Sequence, residues 1–240
     1  MINNNIVIAI IPARGGSKRI PRKNIKELDG KPLLTHTISA AKNSQYIDRI
    51  IVSTDDKEIA QIALEHGAEV PFMRPTELAE DHVTDFPLFE HLLQWLFNNE
   101  NYKPNIIVQL RPTSPLRETQ HIDDAIELLV KNPDADSVRT VIEPEQSPYK
   151  MYSVNEGGFL KPLLKIDGET ESFNLPQQKL PKTYKHVGYV DVMWHKTIAE
   201  KKQMTGDKII PLILNEAYSG INSMKDWEYY EYLINRKKNE

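Results

Sequence analysis

Short, unbroken apolar runs recur along the chain, each followed by a polar loop and then by a stretch with helical spacing. The runs are Ile6-Val7-Ile8-Ala9-Ile10-Ile11, Ile50-Ile51-Val52 and Ile106-Ile107-Val108-Gln109-Leu110, with a fourth at residues 187–194. Continuous apolarity rich in β-branched side chains predicts strands buried on both faces of a parallel sheet. Between them, residues 56–67 place Ile59, Ile62, Ala63 and His66 on one helical face, and Gly67 supplies a left-handed stop. Phe86, Phe89, Leu92, Leu93 and Leu96 make a second such face, Ile122, Ala125, Ile126 and Leu129 a third, and residues 226–238 a final amphipathic helix with a basic end. Strand then helix, repeated, predicts an α/β fold with a mainly parallel sheet and right-handed crossovers.

From residue 143 to 186 this pattern breaks. Pro144, Pro148, Pro162, Pro176 and Pro181 alternate with Gly157, Gly158 and Gly168, while Tyr149, Met151, Tyr152, Phe159, Leu160, Leu163 and Leu164 still require burial. The expectation is a single domain spanning residues 1–240, with an insertion at 143–186 made of loops and short strands. The insertion packs either on its own domain or against a second subunit.

Composition narrows the function. The 240 residues carry 30 Lys+Arg against 34 Asp+Glu, a formal charge of −4, so no global basic field exists to hold a nucleic-acid polymer. The absence of cysteine excludes disulfide scaffolds, Cys-ligated metals and thiol nucleophiles, and fits a cytoplasmic location. No apolar stretch approaches the roughly 20 residues that span a bilayer, and the first residues lack the pattern of a secretory signal. The seven histidines are scattered without ligand spacing, which argues against a zinc enzyme.

In open parallel sheets, ligands bind beyond the carboxyl ends of the strands. The first three runs end in Pro12-Ala13-Arg14-Gly15-Gly16-Ser17-Lys18-Arg19, in Ser53-Thr54-Asp55-Asp56 and in Arg111-Pro112-Thr113-Ser114-Pro115-Leu116-Arg117. The first loop has the make-up of a polyphosphate cradle. Paired glycines admit close approach and offer amides, Ser17 offers a hydroxyl, and Arg14, Lys18, Arg19, Arg22 and Lys23 place five cations within ten residues. Neither G-x-x-x-x-G-K-[ST] nor G-x-G-x-x-G is present, so a P-loop NTPase and a nicotinamide dehydrogenase are disfavoured.

The segments I-I-P-A-R-G-G-S-K-R-I-P-R-K-N (residues 10–24), G-K-P-L-L-T-H-T-I (30–38), I-I-V-S-T-D-D (50–56), R-P-T-E-L-A-E-D (74–81) and L-R-P-T-S-P-L-R (110–117) resemble the CMP-acylneuraminate (CMP-sialic acid) synthetase family. The later chain matches more loosely, through Lys150, L-P-Q-Q-K-L-P (175–181) and Asp226-Trp227. The resemblance implies a Rossmann-like nucleotidyltransferase domain, CTP and an acidic nonulosonic sugar as substrates, Mg²⁺ as cofactor, and a homodimer whose inserted segment reaches the partner's site. Roles follow from resemblance and from the charge neutralisation that phosphoryl transfer requires. Arg14, Lys18 and Lys23 are the catalytic candidates. Ala13, Arg14, Gly15, Gly16, Ser17, Lys18, Asn24, Arg74 and Asp81 are the nucleotide-binding ones, with a helix N-cap as the plain alternative for Asp81. Arg111, Thr113, Ser114, Lys150 and Gln178 are the sugar-binding ones, with Lys179 beside them. For Lys150 and Lys179 a solvated surface charge is the plain alternative.

The chain also departs from the family. Where relatives carry an Asp-x-Asp metal pair before the last helix, it has Gly220-Ile221-Asn222, while Asp191 is a carboxylate at a position the family leaves non-acidic. Asn222 and Asp191 are therefore the expected metal ligands, with a bond to sugar hydroxyls as the alternative for Asp191. Arg111 replaces a Gln, and Gln177 stands where a carboxylate-binding Arg is expected, a shift that points to a re-oriented or different acceptor, such as a legionaminic- or pseudaminic-like acid or a sugar phosphate. The loss at Gly220 and Asn222 also raises a catalytically weakened nucleotide-binding protein as an alternative.

Overall fold

The computed structural model of the protein describes residues 2–215 and 220–239. At its centre lies a six-stranded sheet built from β1 (Val7–Pro12), β4 (Arg49–Ser53), β5 (Ile106–Gln109), β6 (Ser137–Ile142), β9 (Lys185–Trp194) and β10 (Ile209–Ile213), in the order β10-β6-β9-β5-β1-β4. β1 runs parallel to β4 and β5, and β10 parallel to β6. Two short pairs, β2 (Glu27–Leu28) with β3 (Lys31–Pro32) and β7 (Tyr152–Val154) with β8 (Leu160–Pro162), stand outside it. The helices are α1 (Leu33–Lys42), α2 (Lys57–Glu65), α3 (Asp85–Glu100), α4 (Thr119–Lys131), α5 (His195–Ala199) and α6 (Met224–Asn239).

The unbroken apolar runs have a simple cause. Val7, Ala9 and Ile11 point into a core shared with α1, α2 and α4, while Ile8 and Ile10 point into a second core against α3 and α5. A strand between two helical layers has no solvent face, so period-2 alternation disappears. A third cluster, of Ile20, Leu28, Leu33, Ile221, Trp227, Tyr230 and Ile234, packs α6 beneath the loop that follows β1. That packing holds residues 14–24 and 220–222 at one edge of the sheet.

Three expectations are corrected. The strand foreseen at 187–194 begins at Lys185 and runs antiparallel to both neighbours, β5 and β6. β6 and β10 escape the apolar-run signal. β6 buries Ser137 and Thr140, which bond Thr205 O and Val190 O, and β10 is an edge strand of alternating exposure that tolerates Pro211. His66 lies exposed, its Nδ1 against Ile62 O at 2.8 Å, because α2 ends at Glu65.

Between β6 and β9 the chain makes its excursion. The β7–β8 pair and short 3₁₀ turns bring Tyr152 against Phe173, with ring centroids 5.7 Å apart. Val154, Phe159 and Leu160 stay about two-thirds or more exposed. Among the described residues, no helix is long and apolar enough to cross a membrane.

Candidate active site

A cleft of about 590 Å³ opens where β1, β4 and β5 end. Its walls carry six cations, Arg14, Lys18, Arg19, Lys23, Arg74 and Arg111, against three carboxylates, Glu80, Asp81 and Asp85. Such an excess of positive charge in a concave site suits a polyanion.

β1 delivers the first loop. Ala13 is fully buried and its N–H donates to Ser53 O (2.9 Å), tying the strand end to β4. Asn24, also buried, donates to the Arg14 carbonyl (2.9 Å) and fixes the loop from behind. Arg14 then reaches Ala79 O (3.2 Å) through Nη1 and Asp81 (2.6 Å) through Nη2, and Lys18 pairs with the same carboxylate. Lys18 and Arg14 hold the Asp81 carboxyl below the usual carboxylate range. Asp81 is not a helix N-cap, since α3 begins at Asp85 behind Thr84.

Lys23 lies half-buried and donates to Ile221 O (3.1 Å). Burial lowers its pKa, and Arg19 and Arg14 push it in the same direction. A cation held in this way is costly in an empty site and favourable beside a phosphate. Arg74 is buried against Ser53, its Nε donating to Oγ at 3.1 Å and its Nη2 to the carbonyl oxygen, and burial takes its pKa down to about 10.

The glycines serve the loop in a different way from that expected. The Gly15 amide donates to Asp55 Oδ1 (2.9 Å), and a Cβ at Gly15 would lie 2.8 Å from Asp56 Oδ2. Gly15 is therefore a close-approach position against the second loop, and its N–H is already engaged. The Ser17 amide donates to Gly15 O (2.9 Å), and Ser17 lines the cleft. No neighbour stands within 4 Å of a Cβ placed at Gly16, so its backbone faces open space. Arg22 turns away to Asp56 and Glu58 and does not line the cleft. Asp56 also caps α2 by accepting from Glu58 N and Ile59 N at 3.0 Å each.

At the other end, Arg111 Nη2 bonds Asp85 Oδ2 (2.5 Å), which also accepts from Gln109 Nε2 (2.8 Å). Thr113 lines the cleft. Ser114 is buried, its hydroxyl has no partner among the described residues, and it is not among the residues lining the cleft. Lys150 and Gln178 sit exposed on the excursion and do not line their own chain's cleft.

The expected metal pair does not assemble. Asn222 lines the cleft, its Nδ2 donating to Gly220 O (2.8 Å) and its N–H to Asp226 Oδ2 (2.8 Å). Asp191, 2% exposed, is spent on His186 Nε2 at 2.9 Å and is not among the lining residues. A Cβ at Gly220 would lie 2.7 Å from Thr113 Oγ1, so no acidic side chain fits there without movement. Among the described residues, no group of three or more His, Cys, Asp or Glu side chains could hold a metal. Asp81 and Asp85 are already paired, with Arg14 and Lys18 and with Arg111, and beside these and Glu80 the cleft offers the neutral amide oxygen of Asn222.

Sequence reasoning overlooked Asp85, Glu80 and Gln109. Asp85 was readable in principle as an acid in the first turn of an amphipathic helix, but its partner Arg111 lies 26 residues away.

A mainly parallel α/β sheet whose strand ends open on a cation-lined cleft defines a protein that handles nucleotides. The sequence profile of the family described as Cytidylyltransferase matches residues 8–230, and the chain belongs to that family. It is 35% identical to a CMP-N,N'-diacetyllegionaminic acid synthase of Legionella pneumophila over 231 residues, 95% of this chain and 96% of that one. It is 38% identical to a pseudaminic acid cytidylyltransferase of Campylobacter jejuni over 52% of this chain and 53% of that one. Among solved structures, a CMP:2-keto-3-deoxy-manno-octonic acid synthetase complexed with CTP superposes with a TM-score of 0.72 at 15% identity, covering 97% of this chain and 99% of that one, a likeness of fold.

Proposed function

We propose that this cytidylyltransferase activates an acidic nonulosonic sugar with CTP. The sugar's anomeric hydroxyl attacks the α-phosphorus, pyrophosphate leaves and a CMP-sugar forms. The observation that carries the reading is the convergence of Arg14, Lys18, Arg19, Lys23, Arg74 and Arg111 on one cleft at the strand ends. Arg14, Lys18 and Lys23 neutralise the triphosphate and the charge that grows on the leaving pyrophosphate. Arg111 and Thr113 face the acceptor, Arg111 as the cation for its carboxylate. The full-length likeness to a legionaminic acid synthase, with Arg111 in the acceptor wall, favours a legionaminic-type acid over sialic acid itself.

When bound, Mg²⁺ neutralises triphosphate charge, and Asn222 is the residue of this chain that would hold it. The stretch 143–186 is the dimer contact in this reading. Its exposed Val154, Phe159 and Leu160 gain cover there, and Lys150 and Gln178 reach the partner's cleft. A cytoplasmic place, beside the CTP pool, fits this reading.

The test is pyrophosphate release from CTP with a panel of neuraminic, legionaminic and pseudaminic acids, together with thermal shifts for CTP, ATP, GTP and UTP. Release with at least one acid and the largest shift for CTP are expected. Equal shifts for all four nucleotides and no release with any acid would overturn the reading. For the metal, Asn222→Asp is expected to lower the Mg²⁺ concentration for half-maximal activity roughly five- to tenfold, because a carboxylate adds an attraction of about 1 kcal/mol at a partly exposed site. An unchanged Mg²⁺ titration curve would remove Asn222 from the metal site.

A further inference from the structure

At the sheet edge opposite the cleft, where β5 begins and β9 ends, two hollows of about 280 and 460 Å³ adjoin, with Lys103 and His195 lining both. The smaller lies between α3 and α5, lined by Leu93, Phe97 and Ile198, and it arises from a mismatch of lengths. α3 has 16 residues, about 24 Å, whereas α5 has five, about 7 Å. Ile198 is fully buried and Leu93 is 5% exposed, but Phe97, one turn further along the same face of α3, is 55% exposed because α5 is too short to cover it. Lys202, just past α5, pairs with Glu90 of α3 at 2.7 Å, and both line this hollow.

The larger hollow is cationic. Lys103 and Lys196 line it beside one carboxylate, Glu200, and neither ammonium has an ion-pair or hydrogen-bond partner among the described residues. His195 follows β9 directly and its backbone N–H donates to Asn105 O (2.8 Å), while its half-buried ring makes no hydrogen bond among the described residues. Burial first, and Lys103 second, hold its pKa below the usual histidine range, so the neutral ring keeps one donor and one acceptor to offer. An apolar wall thus meets two unneutralised cations. A bare inorganic anion would leave Phe97 in water, and a neutral apolar molecule would leave both lysines idle. An organic anion satisfies both halves.

We propose that the joined hollows bind a small organic anion, its apolar body against Phe97 and Leu93 and its acidic group beside Lys103 and Lys196. Their volumes together are those of a small-molecule site. They share no lining residue with the cleft at the strand ends. α3 separates the two places, carrying Asp85 into the cleft at its first residue and Phe97 into this site about 18 Å further along its axis. The occupant therefore does not compete with a nucleotide, and the inference stands whichever acceptor the cleft takes.

The test titrates naphthalene-1-acetate, and its uncharged analogue naphthalene-1-acetamide, into the full chain with and without saturating CTP, followed by ligand-detected NMR. The acid is expected to bind saturably, at least about fivefold more tightly than the amide, and with the same Kd when CTP is present. Phe97→Ser and the double variant Lys103→Ala/Lys196→Ala are each expected to weaken the acid roughly fivefold or more. Their melting temperatures should stay near that of the wild type, since all three side chains are exposed. Absence of binding, equal binding of acid and amide, wild-type affinity in both variants or displacement by CTP overturns the inference and leaves the proposed function standing. Loss of a dimer in Phe97→Ser by sedimentation, without binding of the acid, overturns it in favour of a second copy on this face.

Discussion

Arg14→Ala is expected to lower kcat/KM at least about a hundredfold while leaving the fold intact. The guanidinium stands at the end of β1, with its backbone carbonyl fixed by Asn24 and its side chain directed to Ala79 O and Asp81. It contributes no core packing, and its ion pair is partly solvated, so truncation costs less than about 1 kcal/mol of stability. What is lost is a fixed cation where negative charge accumulates as pyrophosphate departs. Lys18→Ala is expected to act in the same direction, since Lys18 is 80% exposed and no packing depends on it. Steady-state kinetics with a melting curve on each variant separate the two effects. Wild-type turnover in both would show that this loop does not hold the triphosphate.

The largest effect on stability is expected at Arg117, through Arg117→Met. This guanidinium is buried and donates to Tyr189 O (2.7 Å), Thr37 Oγ1 (2.9 Å) and Arg111 O (2.7 Å) while lying over the Tyr189 ring. Burial takes its pKa down to about 10. Methionine fills much of the volume but removes three donated bonds, leaving Arg111 O with only the longer bond from Thr37 Oγ1 (3.4 Å), which costs about 3 kcal/mol or more and lowers the melting temperature by roughly 6 °C or more. The same change removes the shorter of the two bonds to the Arg111 carbonyl, so acceptor KM is expected to rise with the loss of stability. Urea denaturation with an unchanged midpoint would mean that neighbouring groups re-satisfy all three acceptors.

The sequence displayed the centre of the sheet and hid its flank. β1, β4 and β5 were readable because the middle of each strand faces two helical layers and is apolar, with polar residues such as Arg49, Ser53 and Gln109 only at the strand ends. β6 was not, because Ser137, Arg139 and Thr140 make it look like a loop, and their bonds to Thr205, Asp191 and Val190 are made across 50 residues or more. The direction of β9 was hidden for another reason. Strand direction depends on the route by which the chain returns, and here it returns through the excursion and not through a crossover helix. At the site, the cation-rich loop was visible as composition, but which cations remain available to a ligand was not. Asp55 and Asp56, some 40 residues on, engage the Gly15 amide and Arg22, and only contacts at that range decide which groups face the cleft. Ser114 illustrates the same limit, since a residue of a polar motif is buried and does not line the cleft.

The pairing of Asp81 with both Arg14 and Lys18 changes what nucleotide binding means for this molecule. The cradle is never bare: it holds a counterion of its own, carried on the segment between Arg74 and α3. On the proposed function, an incoming triphosphate exchanges partners with Asp81 and does not simply capture free cations, so its gain is the difference between two sets of ion pairs. A lone inorganic phosphate, with less charge and no base to anchor it, competes poorly against that internal anion. On the proposed function, the built-in carboxylate favours a ligand that brings several phosphates at once over a single small anion.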